Sequence, residues 1–221
     1  MGWLSYLYTV DDLTHKLQSF KNENSSQNLL RSVLLLINLG NVVFIVYIYN
    51  LHRLTMFFTN WTLVTTAIYL GVAIAASRYK TLKLLAWHHL LFEVSFIMNI
   101  VVVTVYWSML HKESLADCQN DPYKIVNVYW AHIMPGFSIA ANFAMTDVVI
   151  RGSHYKGLVV IAALYGYVNY KETKARNKPL YHFLHWNDYT TVLIYSGLVA
   201  GFALLFTALS SVTVTLKRGK N

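Results

Sequence analysis

Apolar residues dominate six long stretches of the chain, at 29–50, 56–77, 84–110, 126–150, 155–170 and 190–216, and each stretch is bounded by charged or turn-forming residues. None alternates apolar and polar positions as a half-buried strand would. A membrane-spanning helix needs about 20 mostly apolar residues, because a rise of about 1.5 Å per residue must cross about 30 Å of hydrocarbon. Five of the stretches meet that requirement. The fifth, 155–170, is short and flanked by Lys156 and Lys171, so it reads either as a compact span or as a re-entrant segment. The pattern predicts an all-α, polytopic membrane protein: one bundle of about six transmembrane helices over 29–216, with no second domain.

Before the first run, residues 1–28 form an N-terminal arm in which Trp3, Leu7, Val10, Leu13, Leu17 and Phe20 recur at helical spacing. That periodicity fits either an amphipathic helix on the membrane surface or an ordinary packed arm. The arm lacks the basic start and apolar core of a secretory signal peptide, so the first apolar run is expected to serve as the targeting signal. Residues 217–221 form a basic tail.

Composition agrees with lipid as the solvent. Of 221 residues, 56% are hydrophobic and 13% charged, against roughly 25% charged in ordinary soluble domains. The net charge of +8 comes from Lys and Arg residues lying between the apolar runs, where they oppose anionic headgroups, so nucleic acid is not the expected partner. If all six runs cross, Lys16, Lys21, Arg31, Arg78, Lys80, Lys83, Arg151, Lys156, Lys217, Arg218 and Lys220 share one side. This majority of the 18 basic residues puts both termini in the cytoplasm and the 113–121 loop on the other face. A single cysteine, Cys118, excludes an internal disulfide framework and a cysteine-based zinc site.

Ionisable groups inside the runs are costly and need a partner or a purpose. His89 and Glu93 lie four apart on one face of the third helix, as a structural clamp or a proton relay. His132 stands early in the fourth helix, just before Pro135 and Gly136. Proline removes a backbone hydrogen bond and favours a kink, so His132 reads either as a satisfied core histidine or as one lining a cavity. Thr59, Asn60 and Thr62 open the second helix at a compatible depth. Thr59 is either a helix cap or a nucleophile for which an adjacent imidazole acts as general base, with first-turn amides stabilising an oxyanion. The pair His182 and His185 lacks a third metal ligand, and no cofactor or metal is called for.

Several short segments, in order, resemble the androgen-induced protein family of six-helix membrane proteins. They are Phe57-Phe58-Thr59-Asn60-Trp61-Thr62-Leu63-Val64, the phenylalanines Phe92 and Phe96 leading to Tyr106-Trp107, His132 with Pro135, Gly166-Tyr167, and Leu180-Tyr181-His182-Phe183-Leu184. The resemblance implies an endoplasmic reticulum hydrolase that cleaves fatty acid esters of hydroxy fatty acids, taken from the bilayer, with Thr59 as nucleophile and His132 as base. This chain departs from the family in carrying His88-His89 where animal members often have Arg-Asp, in a shorter histidine-to-proline spacing, and in His182 where a proline is usual. The alternative is a noncatalytic multi-pass factor that binds lipid or partner proteins.

Overall fold

The computed structural model describes residues 25–146 and 148–218, and among these there is no strand. Eight α-helices follow one another: α1 (Ser25–Ile48), α2 (Leu51–Met56), α3 (Phe58–Tyr79), α4 (Leu82–Val105), α5 (His111–Asp117), α6 (Pro122–Met145), α7 (Tyr155–Arg176) and α8 (Tyr189–Arg218). The N-terminal arm with its expected surface helix, and the last three residues of the basic tail, lie outside the described residues.

Among the described residues, four helical segments are long and apolar enough to cross a membrane: Ser25–Ile48, Phe58–Tyr79, Leu82–Asp117 and Tyr189–Thr215. The third continues past the expected end of its apolar run, because a π-turn at Tyr106–Leu110 carries α4 directly into α5. Residues 113–117, expected in a loop, are therefore helical. Helices α6 and α7, at 24 and 22 residues, are also of spanning length, but polar residues dilute them.

Local chemistry explains the boundaries. Asn50 caps α2 by accepting from the Arg53 amide, and Thr81 caps α4 by accepting from Leu84. Asp121 accepts from the amides of Tyr123 and Lys124, with Pro122 in the first turn of α6, where its missing N–H costs nothing. Lys80 and Asn177 close α3 and α7 in the left-handed conformation.

Helix α3 packs against α1 and α4, and α6 against all three, forming a four-helix core, while α7 and α8 pair on a flank that reaches α4. One apolar cluster joins Leu34, Tyr69, Leu70, Phe92 and Ile139 within the core. A second joins Val94, Ile97, Met98, Leu158 and Phe206 where the flank meets α4. Between helices run polar seams: Asn38 donates to Ser138, Asn127 to Asn41, and Asn99 to Thr66. Arg31, fully buried, donates to Asn142. Such pairs satisfy groups that lipid cannot, each contributing about 0.6 kcal/mol on average.

The outside is apolar instead. Leu36, Val43, Ile68, Val160, Leu164, Leu193 and Leu204 all face outward. Burial is sparse along the apolar helix α8, a distribution that suits lipid and would be an aggregation hazard in water.

Candidate functional site

Chemistry converges where α3 begins. Its N-terminus has Phe57 in an extended conformation and no side-chain cap, so Thr59 does not cap the helix, and its hydroxyl is available elsewhere. The Thr59 Oγ1 lies 3.2 Å from His132 Nε2. On its other side the His132 ring donates from Nδ1 to the Val128 carbonyl, 2.7 Å away and one turn earlier on α6. With the proton held at Nδ1, Nε2 carries the lone pair that faces the threonine.

A ring stack fixes the imidazole. Tyr106 lies against His132 with centroids 3.6 Å apart and planes inclined by 16°. Tyr106 opens the π-turn that joins α4 to α5, and its hydroxyl is hydrogen-bonded to His111 Nδ1 at 2.8 Å. Single π-turns inside α-helices commonly occur at functional positions, and here the turn presents a tyrosine face to the histidine.

The first amides of α3 are unequally used. That of Phe58 donates to the Tyr181 hydroxyl at 3.2 Å, and that of Asn60 returns to the Phe57 carbonyl at 3.0 Å. Among the described residues, no acceptor engages the Thr59 amide. A helix N-terminus presents positive potential as well as free donors, and this one lies beside the hydroxyl.

Thr59 also stands between two cavities. One, of about 100 Å³, is lined by apolar and aromatic groups from α4, α7 and α8, including Val105, Leu158, Leu198 and Phe202. The other, of about 360 Å³, is polar and contains His132 and Asn60 together with Arg53, Lys124, Arg176 and Lys178, and the acids Glu113 and Asp117. Thr59, Leu110 and Tyr181 line both. Arg53 is sandwiched between the Tyr49 and Phe57 rings, 4.5 and 4.3 Å from their centroids. Burial lowers its pKa from the ordinary value, partly offset by Tyr49, yet a guanidinium stays charged at neutral pH.

The non-helical segment at 178–188 roofs the apolar cavity through Tyr181, Phe183 and Leu184. Tyr181 is held by Tyr165, whose hydroxyl lies 3.2 Å away, and burial raises the Tyr181 pKa so that it stays neutral. Trp186 adopts a positive φ of 55°, uncommon for a bulky residue. Its indole donates to Asn169 at 2.7 Å and its amide to Thr191, which hold that conformation. Gly166 matters for a specific reason: a Cβ there would stand 2.7 Å from the Tyr195 ring, which lies against α7 and donates to the Ala162 carbonyl at 2.6 Å.

The remaining expected residues are placed as follows. Asn60 lines the polar cavity and donates to the Arg53 carbonyl at 2.7 Å. Thr62 is buried and bonds back to the Phe58 carbonyl, lining neither cavity. Pro135 is buried, and α6 continues through it without interruption. His89 and Glu93 are buried in a separate cluster with His154, where both histidines contact the carboxylate. His182 pairs with Glu113, and His185 lies beside Thr191. Tyr106, Tyr165, Tyr181 and Tyr195 were not singled out as site residues by the sequence, although the segments containing Tyr106 and Tyr181 carry the family resemblance.

No family model, curated protein or solved structure matches the chain.

Proposed function

We propose that this chain is an intramembrane hydrolase of lipid esters that uses Thr59 as nucleophile and His132 as general base. The observation that carries the reading is the 3.2 Å approach of the Thr59 hydroxyl to the Nε2 of a histidine whose Nδ1 is committed to a backbone carbonyl. A hydroxyl alone is a weak nucleophile, and an oriented imidazole is the usual remedy.

In the proposed reaction, Thr59 Oγ1 attacks the ester carbonyl while His132 Nε2 takes its proton. The oxyanion that forms is stabilised by the Thr59 amide and the positive end of α3. Collapse expels the alkoxide, which receives the proton from His132, and leaves an acyl group on Thr59. Water, deprotonated by the same imidazole, then releases the fatty acid and regenerates the threonine.

The two cavities suit an amphiphilic ester. An acyl chain would occupy the apolar side along Val105, Leu158, Leu198 and Phe202, reaching it from the bilayer. Arg53, Arg176 and Lys178 on the polar side would face a free carboxylate on the alcohol portion, as in a fatty acid ester of a hydroxy fatty acid. Within this reading all six apolar runs cross the membrane of the endoplasmic reticulum, α6 and α7 as the polar members shielded by the bundle, with both termini cytoplasmic. The resemblance to the androgen-induced family supports the same assignment of threonine and histidine.

A fluorophosphonate probe tests the nucleophile. Detergent-solubilised wild-type protein should be labelled at Thr59, and Thr59→Ala and His132→Gln should lose the label while retaining wild-type thermal stability. Failure of the folded wild type to label, together with no ester turnover, would favour the noncatalytic lipid-binding factor.

A further inference from the structure

The cluster at His89, Glu93 and His154 is a different kind of site. His89 and Glu93 occupy successive turns of one face of α4, while His154 ends the 3-10 turn Gly152–His154 that enters α7. All three are almost completely buried. The Glu93 carboxylate lies 2.5 Å from His154 Nδ1 and 3.4 Å from His89 Nε2. One donor atom from each residue falls within 4.8 Å of the others. His89 Nε2 is also 2.8 Å from the Val149 carbonyl, and the Arg151 amide donates to Glu93 Oε1 at 2.6 Å.

A clamp for one buried carboxylate needs only a single imidazole. Here two imidazoles contact it, a backbone N–H orients one of its oxygens, and a peptide carbonyl meets one of the imidazoles. Two imidazole nitrogens and one carboxylate oxygen make the borderline donor set that a zinc-type divalent ion takes from protein. Bond lengths near 2.0–2.1 Å put tetrahedral ligand atoms about 3.3 Å apart, so the His89–Glu93 pair already has that spacing and the closer His154–Glu93 pair must open to admit the ion. The Arg151 amide supplies the outer hydrogen bond that orients a ligating carboxylate.

The geometry points to a zinc-type site with a structural task, formed by His89, Glu93 and His154. The ion replaces the proton that His89 Nε2 gives to Val149 and the proton shared between His154 and Glu93. Its place in the fold gives it a task. The segment 148–154 connects α6 to α7, and its neighbours lean on α8: the Ile150 amide donates to Thr213 at 3.1 Å, and Gly152 packs on Ser210. A metal joining His154 to α4 would tie the α7–α8 flank to the four-helix core. All three ligands are buried and line neither cavity, which sets this site apart from the one at Thr59. The inference is independent of the hydrolase reading.

The test uses full-length protein purified in detergent without added chelator or metal. Elemental mass spectrometry should find about one zinc-type ion per chain, and Glu93→Gln and His154→Gln should each retain less than about a tenth of that. Wild-type protein stripped with 1,10-phenanthroline should melt several degrees lower and recover with one equivalent of Zn2+ but not with Mg2+. This arm needs no variant to fold. Wild-type protein that holds no metal and gains no stability from micromolar Zn2+ would overturn the proposal, as would undiminished metal in folded Glu93→Gln.

Discussion

Two polar sites lie inside this apolar bundle, and they are built in opposite ways. Thr59 and His132 are partly accessible, contact each other through a single hydrogen bond, and sit between two cavities. His89, Glu93 and His154 line neither cavity and converge on one another in full burial. An imidazole beside space can serve a reactant, whereas imidazoles closed around a carboxylate can serve cohesion. On the proposed reading the chain uses histidine for two purposes, and what separates them is the space each ring faces, more than depth or residue type.

The contrast predicts that substitutions at the first site remove activity and spare stability, and that those at the second do the reverse. The largest effect belongs to Thr59→Ala. Ester turnover should fall by roughly 10^4-fold or more in a steady-state assay with a micellar lipid ester, with an unchanged melting profile. His132→Gln should lose about 10^2- to 10^4-fold, the usual contribution of a general base. An equal loss of stability in either variant would erase the distinction between the sites.

At the closed site, Glu93→Ala should cost about 3–5 kcal/mol in a denaturation experiment, because it removes the buried carboxylate that accepts from His154 and the Arg151 amide and leaves a cavity in its place. Gly166→Ala comes next. The added methyl must displace the Tyr195 ring, costing about 1–3 kcal/mol and constricting the apolar cavity. Turnover of long-chain esters should consequently decline more than that of short-chain esters. The smallest effect is Tyr181→Phe, which removes the acceptor of the Phe58 amide and should cost about 1 kcal/mol by thermal melting.

Much of the architecture was legible because lipid allows few alternatives: uninterrupted apolar runs become helices, and the observed helices follow those runs closely. Departures occur where local geometry overrides the pattern. The third helix passes the end of its apolar run because the π-turn at Tyr106 keeps the chain helical as far as Asp117. The fifth, short by apolarity, extends to Arg176 since its polar last turns stay helical until Asn177 adopts the left-handed cap.

The site was legible in part. Compatible depth predicted that Thr59 and His132 could meet, and they lie at hydrogen-bond distance. Hydropathy cannot reveal Tyr106 stacking on His132, since an aromatic in an apolar run looks the same whether it meets lipid or a ring. His154 escaped notice because it sits in a turn between apolar runs, and nothing in its spacing links it to His89 and Glu93 about sixty residues earlier. The 178–188 segment carried a resemblance, but its role as the roof of the apolar cavity emerges only from the packing of Tyr181, Phe183 and Leu184.

The most direct test is to trap the acyl group. Wild-type protein mixed with a long-chain lipid ester, quenched in acid during the first turnovers and digested, should yield a Thr59-containing peptide heavier by the mass of the acyl chain. Thr59→Ala should yield none. Rapid hydrolysis with no acyl adduct on that peptide, or undiminished turnover by Thr59→Ala, would contradict the account.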